Sequence, residues 1–118
     1  MTRDTELVGQ MDPYVIMKLG SKSHTTKAKY NEGKHCIWTE RVEMEVNQSG
    51  KSSLVLKIYD KDQFKDDLIC STEILLLKEG LLVPSEKPKE REFNLFYEGV
   101  KAGTVKIECQ FEMLPFNF

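Results

Sequence analysis

Short alternations of apolar and polar residues run along most of the chain. Residues 14–19, Tyr-Val-Ile-Met-Lys-Leu, form an apolar run closed by Gly20. Residues 41–46 alternate strictly, as does the second half of 53–59. Residues 103–113 alternate throughout, with Val105, Ile107, Cys109, Phe111 and Met113 on one face. A period of two is the signature of half-buried strands, because successive side chains point to opposite faces. Weaker strands are predicted over 24–30, 68–77 and 91–96. Turn-forming residues separate the runs: Asn31-Glu32-Gly33, Asn47-Gln48-Ser49-Gly50, Asp60-Lys61-Asp62 and Glu98-Gly99. Residues 75–83 have room for one helical turn, and the charged, proline-bounded stretch 84–91 is expected to be a solvated loop. Seven short strands without a long helix predict an antiparallel β-sandwich.

Composition agrees with a folded domain. The 118 residues are 40% hydrophobic and 31% charged, outside the range of disordered chains. This length predicts one domain, 1–118, large enough for a core without metal or disulfide staples. Seventeen basic against nineteen acidic residues leave a net charge of -2, which argues against a dedicated nucleic-acid binder. No apolar run approaches the ~20 residues of a membrane span. The first ten residues are polar, so no signal peptide is expected. Cys36, Cys70 and Cys109 are odd in number and widely spaced, which predicts free thiols in a reducing, cytoplasmic setting.

Carboxylates gather at two strand ends. Asp4, Glu6 and Asp12 lead into the strand at Tyr14, and Asp60, Asp62, Asp66 and Asp67 follow the strand that ends at Tyr59. The Asp-x-Asp at 60 and 62 puts two carboxylates on one side of an extended chain. Calcium takes about six to eight oxygen ligands from flexible loops, and two acidic loops joined by a sandwich would supply them. An acidic turn taken alone is more often merely soluble; two such turns together favour a metal.

These residues also carry a family likeness. Gly9-Gln10-Met11-Asp12-Pro13-Tyr14-Val15 resembles the G-x-x-D-P-Y-V entry of the C2 domain, the calcium- and phospholipid-binding module of protein kinase C and synaptotagmins. Trp38-Thr39-Glu40 is similar to that family's W-N-E. Tyr59-Asp60-Lys61-Asp62-Gln63-Phe64-Lys65-Asp66-Asp67-Leu68-Ile69 resembles its third calcium loop, and the three motifs stand in register from about Glu6 to Glu112. The resemblance implies an all-β, antiparallel Greek-key sandwich of C2 type. It also implies calcium ligation by Asp12, Asp60 and Asp62, completed by Glu6 and Asp67. Two positions depart from the pattern: Glu6 stands where an Asp is usual, with Asp4 nearby. The interval after Asp62 is one residue short, so either Asp66 or Asp67 fits the last place. His35-Cys36, Thr39 and Cys70 are smaller departures.

Lys18, Lys22, Lys27, Lys29 and Lys34 fall close together, and Lys27 and Lys29 alternate with Ala28. The resemblance implies a lipid-binding surface here for anionic headgroups. Val8, Met11 and Phe64 are apolar residues near loop tips that either dip into the bilayer or pack under their own loops, the latter being expected for Val8 and Met11. The alternative is an ordinary solvated strand face. Two bound calcium ions would move the formal charge from -2 to +2 (-2 + 4) and invert the field at the acidic loops. Trp38 is expected in the core. His24 and His35 have no partners at zinc or catalytic spacing, and no nucleophile, base and orienter converge, so the chain is not expected to be an enzyme.

The family sandwich has eight strands where the sequence offers seven, and an unfilled place in a sheet leaves backbone groups that seek another strand. Three ways out are open: the chain is a truncated or alternative product, its tail folds into the gap, or two chains complete each other, so homodimerisation through that edge is one expectation. The function expected is calcium-dependent binding of anionic phospholipid membranes as a cytoplasmic, peripherally membrane-associated domain. The rival is a calcium-independent lipid- or protein-interaction scaffold.

Overall fold

The computed structural model describes residues 12–27, 37–46 and 52–112. Within them lie six strands: β1 (Pro13–Leu19), β2 (Lys22–Thr25), β3 (Ser53–Asp60), β4 (Asp67–Leu75), β5 (Lys89–Tyr97) and β6 (Val100–Cys109). They form one antiparallel sheet in the order β2-β1-β3-β4-β5-β6. The β4–β5 junction is a single pair, Ser71 with Phe96, whereas β1–β3 and β5–β6 pair along their lengths. That narrow seam joins two halves, β2-β1-β3-β4 and β5-β6, whose apolar side chains meet in one cluster. Val15, Leu56, Ile58, Ile69, Cys70 and Ile74 come from the first half, Leu95 and Ala102 from the second. Leu56 and Ile58 are 2% exposed, and burial of each such side chain contributes about 1.5–3 kcal/mol.

The two hairpins follow from their turn residues. Gly20, at φ +62°, opens the two-residue loop between β1 and β2, the place where a mirror-image turn needs a glycine. Glu98 and Gly99 between β5 and β6 both have positive φ, 51° and 81°, the requirement of a type I′ turn. Leu75–Leu81 is a compact turn, with Glu79 N–H donating to the Leu75 carbonyl and Leu81 N–H to that of Leu76. This is the short turn expected between 75 and 83.

Several boundaries differ from the sequence expectation. β2 stops at Thr25 because Thr26 turns inward: its hydroxyl accepts the Val15 N–H at 2.9 Å and its own N–H donates to the Val15 carbonyl. β6 ends at Cys109, and Phe111 makes an isolated parallel bridge to Pro84 instead. Residues 41–46 keep the alternation of exposed and half-buried positions but join no ladder among the described residues. Their period is that of a strand, and a ladder needs a partner that the described residues do not include. Trp38 packs half-buried against the core and donates its indole N–H to the Lys27 carbonyl at 3.2 Å. Cys70 and Cys109 are free thiols, and burial pushes the Cys109 pKa up.

Candidate functional site

The register of three strands assembles the acidic end of the sheet. Pro13 lies opposite Asp60, and Asp60 lies opposite Asp67, so three consecutive strands of the sheet end side by side. Asp12 adjoins them: its N–H donates to Asp60 Oδ1 at 2.9 Å, and its carbonyl accepts the Lys61 N–H at 3.0 Å. Val15, Met17, Leu56 and Ile58 share the core-side face of β1 and β3, and alternation puts Asp60 on that same side. Tyr14 and Tyr59 face the other way, stacked with ring centroids 5.6 Å apart.

A β-bulge decides where the last two aspartates go. Ile58 pairs with Cys70, but Tyr59 pairs with Leu68, so Ile69 is an extra residue in β4. Without it Asp67 would fall on the outer face; with it Asp67 comes round to the side of Asp60, and Leu68 turns outward. Asp66 is left on the side of Tyr14. Its Oδ2 accepts the Tyr14 hydroxyl and its Oδ1 accepts the Asp62 N–H at 3.0 Å. Asp66 thus bridges the start of β1 to the loop between β3 and β4. The Tyr14 bond, then the Asp62 N–H, hold the Asp66 carboxyl below its usual pKa. Burial, followed by the bond to Asp66, pushes the Tyr14 phenol up to about 12.

Asp62 and Asp67 are exposed, and Asp62 Oδ1 receives only a long bond, 3.4 Å, from Phe64 N–H. Phe64 stands 88% exposed at the loop tip. Among the described residues no three His, Cys, Asp or Glu side chains converge in metal-holding geometry. Glu6, Asp4, Val8 and Met11 lie outside the described residues. The described carboxylates are hard oxygen donors of the kind calcium takes, and two of them, Asp60 and Asp67, lie at paired positions across a ladder.

The lysines are more dispersed. Lys18 pairs with Ser23 and Lys22 with Leu19, so Lys18 and Lys22 lie on opposite faces of the β1–β2 hairpin. Lys57 shares the outer face with Lys18, through its pairing with Ile16. The Lys27 N–H donates to Glu40 Oε2 at 2.7 Å, and His24 Nε2 lies 3.1 Å from Glu40 Oε1. Glu40 therefore ties the end of the β1–β2 hairpin to the segment after Trp38, and these two contacts lower its pKa. Sequence reasoning missed this link. Lys29, Lys34, His35 and Cys36 lie outside the described residues.

This antiparallel sheet has relatives. Residues 2–95 match the C2 domain family. The chain belongs to the C2 domain family. The first C2 domain of plant Extended Synaptotagmin 1 superposes with a TM-score of 0.76 at 23% identity, covering 92% of this chain and 82% of that one, a likeness of fold. A calcium-bound structure of two C2 domains of Extended-Synaptotagmin 2 is 26% identical with a TM-score of 0.66, covering 92% of this chain and 38% of that one. In sequence, Protein C2-DOMAIN ABA-RELATED 11 of Arabidopsis thaliana is 39% identical over 56 residues, 48% of this chain and 32% of the relative. Elicitor-responsive protein 1 of Oryza sativa subsp. japonica is 29% identical over 63 residues, 51% of this C2 chain and 40% of the relative. The matched region thus spans well under half of each of these two relatives. No described helix is long and apolar enough to cross a membrane.

Proposed function

We propose that this C2 domain is a non-enzymatic, cytoplasmic module that binds anionic phospholipid membranes peripherally, and that calcium at its acidic strand ends controls the binding. The observation that carries the reading is the cross-strand pair Asp60–Asp67, with Asp12 alongside. Like charges directly opposite each other in a ladder destabilise it, by about 0.2–1 kcal/mol for a pair. A bound cation removes that cost and turns the pair into ligands. Asp12, Asp60, Asp62 and Asp67 would hold calcium, with Glu6 completing the set. Once bound, calcium supplies positive charge and coordination places that lipid phosphate oxygens can take.

The chain's own residues set the remaining terms. Asp66 and Tyr14 hold the loop that carries Asp62 and Phe64. Phe64, exposed beside this mouth, offers an apolar ring to the acyl region. Lys18, with Lys57 on the same outer face, would add attraction to an anionic surface, about 1 kcal/mol for each lysine close to it, screened by salt; Lys22 lies on the opposite face, and Lys27 and Lys29 are proposed as further contributors. Such contributions hold a domain at a membrane only with a second signal, which calcium would provide.

The tests are thermal unfolding across a calcium titration and sedimentation with phosphatidylserine or phosphatidylcholine vesicles. A Tm rise and calcium-dependent capture on phosphatidylserine support the reading; neither, up to millimolar calcium, sinks it. A second reading is calcium-independent lipid or protein binding. It is favoured by the lack of three converging ligands among the described residues and by the engagement of Asp66 with Tyr14. Vesicle capture that is unchanged by chelator and lost in Lys18→Glu/Lys27→Glu would decide for its lipid form.

A further inference from the structure

The two edges of the sheet are unlike. β2 is four residues long and carries Lys22, Ser23 and His24, whereas β6 is ten residues long and has a partner, β5, on one side only among the described residues. A long edge strand presents a row of backbone N–H and C=O groups to any extended chain that fits. On β6, Ala102 and Gly103 near β5's turn are buried, but the core-side residues Val105, Ile107 and Cys109 remain only half-buried. The outer face alternates in charge, with Lys106 and Glu108 both exposed.

From this pattern we infer that β6 pairs antiparallel with β6 of a second copy of the chain, centred on Ile107. Two requirements select that register. Continuing one sheet with both cores on the same side needs pairs of equal parity, so the two-fold axis must pass through a residue. Centring on Lys106 or Glu108 sets like charges against each other. Centring on Thr104 or Val105 leaves Lys106 and Glu108 without opposite charges across the seam. Centring on Ile107 puts Lys106 opposite Glu108 of the second copy, and Glu108 opposite its Lys106. It also sets Ile107 against Ile107 and Val105 against Cys109, extending the apolar face across the seam. The pairing stops short of Phe111, which is occupied by its bridge to Pro84.

The test is sedimentation velocity of the 118-residue chain, in chelator, from low micromolar to the highest soluble concentration. A concentration-dependent dimer is expected. Lys106→Glu alone, or Glu108→Lys alone, creates two like-charge pairs and should weaken the dimer by about tenfold or more. The double exchange Lys106→Glu/Glu108→Lys should restore it, since the attractive pairs re-form with their signs reversed. A chain that stays monomeric overturns the inference. So does a dimer indifferent to the single exchanges, or one that the double exchange fails to restore. Amide hydrogen exchange on the wild-type chain is independent of any variant's folding: protection of β6 amides should rise with concentration, and concentration-independent protection overturns the pairing. The chelator separates this result from the calcium reading, whose failure would leave it untouched.

Discussion

Asp66 and Asp67 are neighbours in sequence and serve two opposite faces of the sheet with different partners. On the outer face Asp66 is satisfied: it accepts the Tyr14 hydroxyl and the Asp62 N–H, and its pKa is lowered accordingly. On the core side Asp67 faces another carboxylate, Asp60, across the ladder. The outer carboxylate has two hydrogen-bond donors, while the core side sets two carboxylates opposite one another, the pair on which the proposed calcium site rests. Position along the chain does not distinguish the two residues. The extra residue Ile69 in β4 does, by rotating Asp67 to the other side of the sheet.

The largest effect expected from breaking this contrast is on the core side. In Asp60→Asn/Asp67→Asn the calcium-induced rise in Tm should vanish; at a hundredfold excess over the dissociation constant that rise corresponds to about 2.7 kcal/mol in the wild type. In chelator the same variant should melt higher than the wild type, because a like-charge pair worth about 0.2–1 kcal/mol has gone. Loss of calcium response without the gain in chelator would mean that the two side chains do not repel. Calorimetry under both conditions gives the answer.

The outer region should respond in the opposite sense. Asp66→Asn and Tyr14→Phe each free the loop, so both should lower Tm in chelator and speed amide exchange at Asp62 and Phe64. Calcium affinity should fall by about three- to tenfold through lost preorganisation, with the number of bound ions unchanged. The double variant should be no worse than Asp66→Asn alone, since that change already weakens the Tyr14 bond as well as the one from Asp62. If Asp66→Asn instead removes a bound ion, Asp66 is a ligand and the contrast fails.

The pH dependence separates the same bond by its two ends. The Tyr14 pKa is raised from 10.0 to about 12 in the folded chain, so its contribution is present below pH 10 and lost as pH climbs from there towards 12. The Asp66 pKa is lowered, so its contribution is present above the ordinary carboxylate value of 3.8 and lost as pH falls through the lowered one. Tyr14→Phe should flatten the alkaline limb of a Tm-against-pH curve. An alkaline limb identical to the wild type would mean that another group controls it.

Much of this architecture was legible in the sequence, and the exceptions have particular causes. The alternation in 53–59 and 103–109 gave β3 and most of β6 directly, because a strand half-buried on one face must write period two into its residues. The turns at Gly20 and Glu98-Gly99 were visible for a similar reason: few residues accept positive φ. The Asp12 N–H reaches the Asp60 carboxylate, since hydrogen-bonded strands carry their ends with them. The opposite facing of Asp66 and Asp67 was not legible. A bulge at Ile69 leaves no residue signature and reverses the facing of everything beyond it. The dispersal of Lys18 and Lys22 escaped notice because proximity in sequence says nothing of parity across a two-residue turn. Residues 41–46 keep the alternation the sequence predicts, exposed and half-buried in turn, with no ladder partner among the described residues.

The smallest effect tests what aims Tyr14. Its ring stacks on Tyr59 at an interplanar angle of 16°, directly across β1 and β3, while its hydroxyl reaches Asp66. An aromatic pair of this kind contributes about 0.5–1.5 kcal/mol beyond the area it buries. Tyr59→Leu removes the stack and keeps apolar bulk on the outer face, so a Tm loss within that range is expected. If the stack also holds the hydroxyl in line with Asp66, calcium affinity in Tyr59→Leu should fall part of the way towards that of Tyr14→Phe. If the bond to Asp66 alone fixes the ring, affinity should stay at the wild-type value while Tm drops. Calcium titration of the two variants side by side reads the difference. An affinity loss larger than that of Tyr14→Phe would show that Tyr59 supports the core-side carboxylates directly, through the strand end it shares with Asp60.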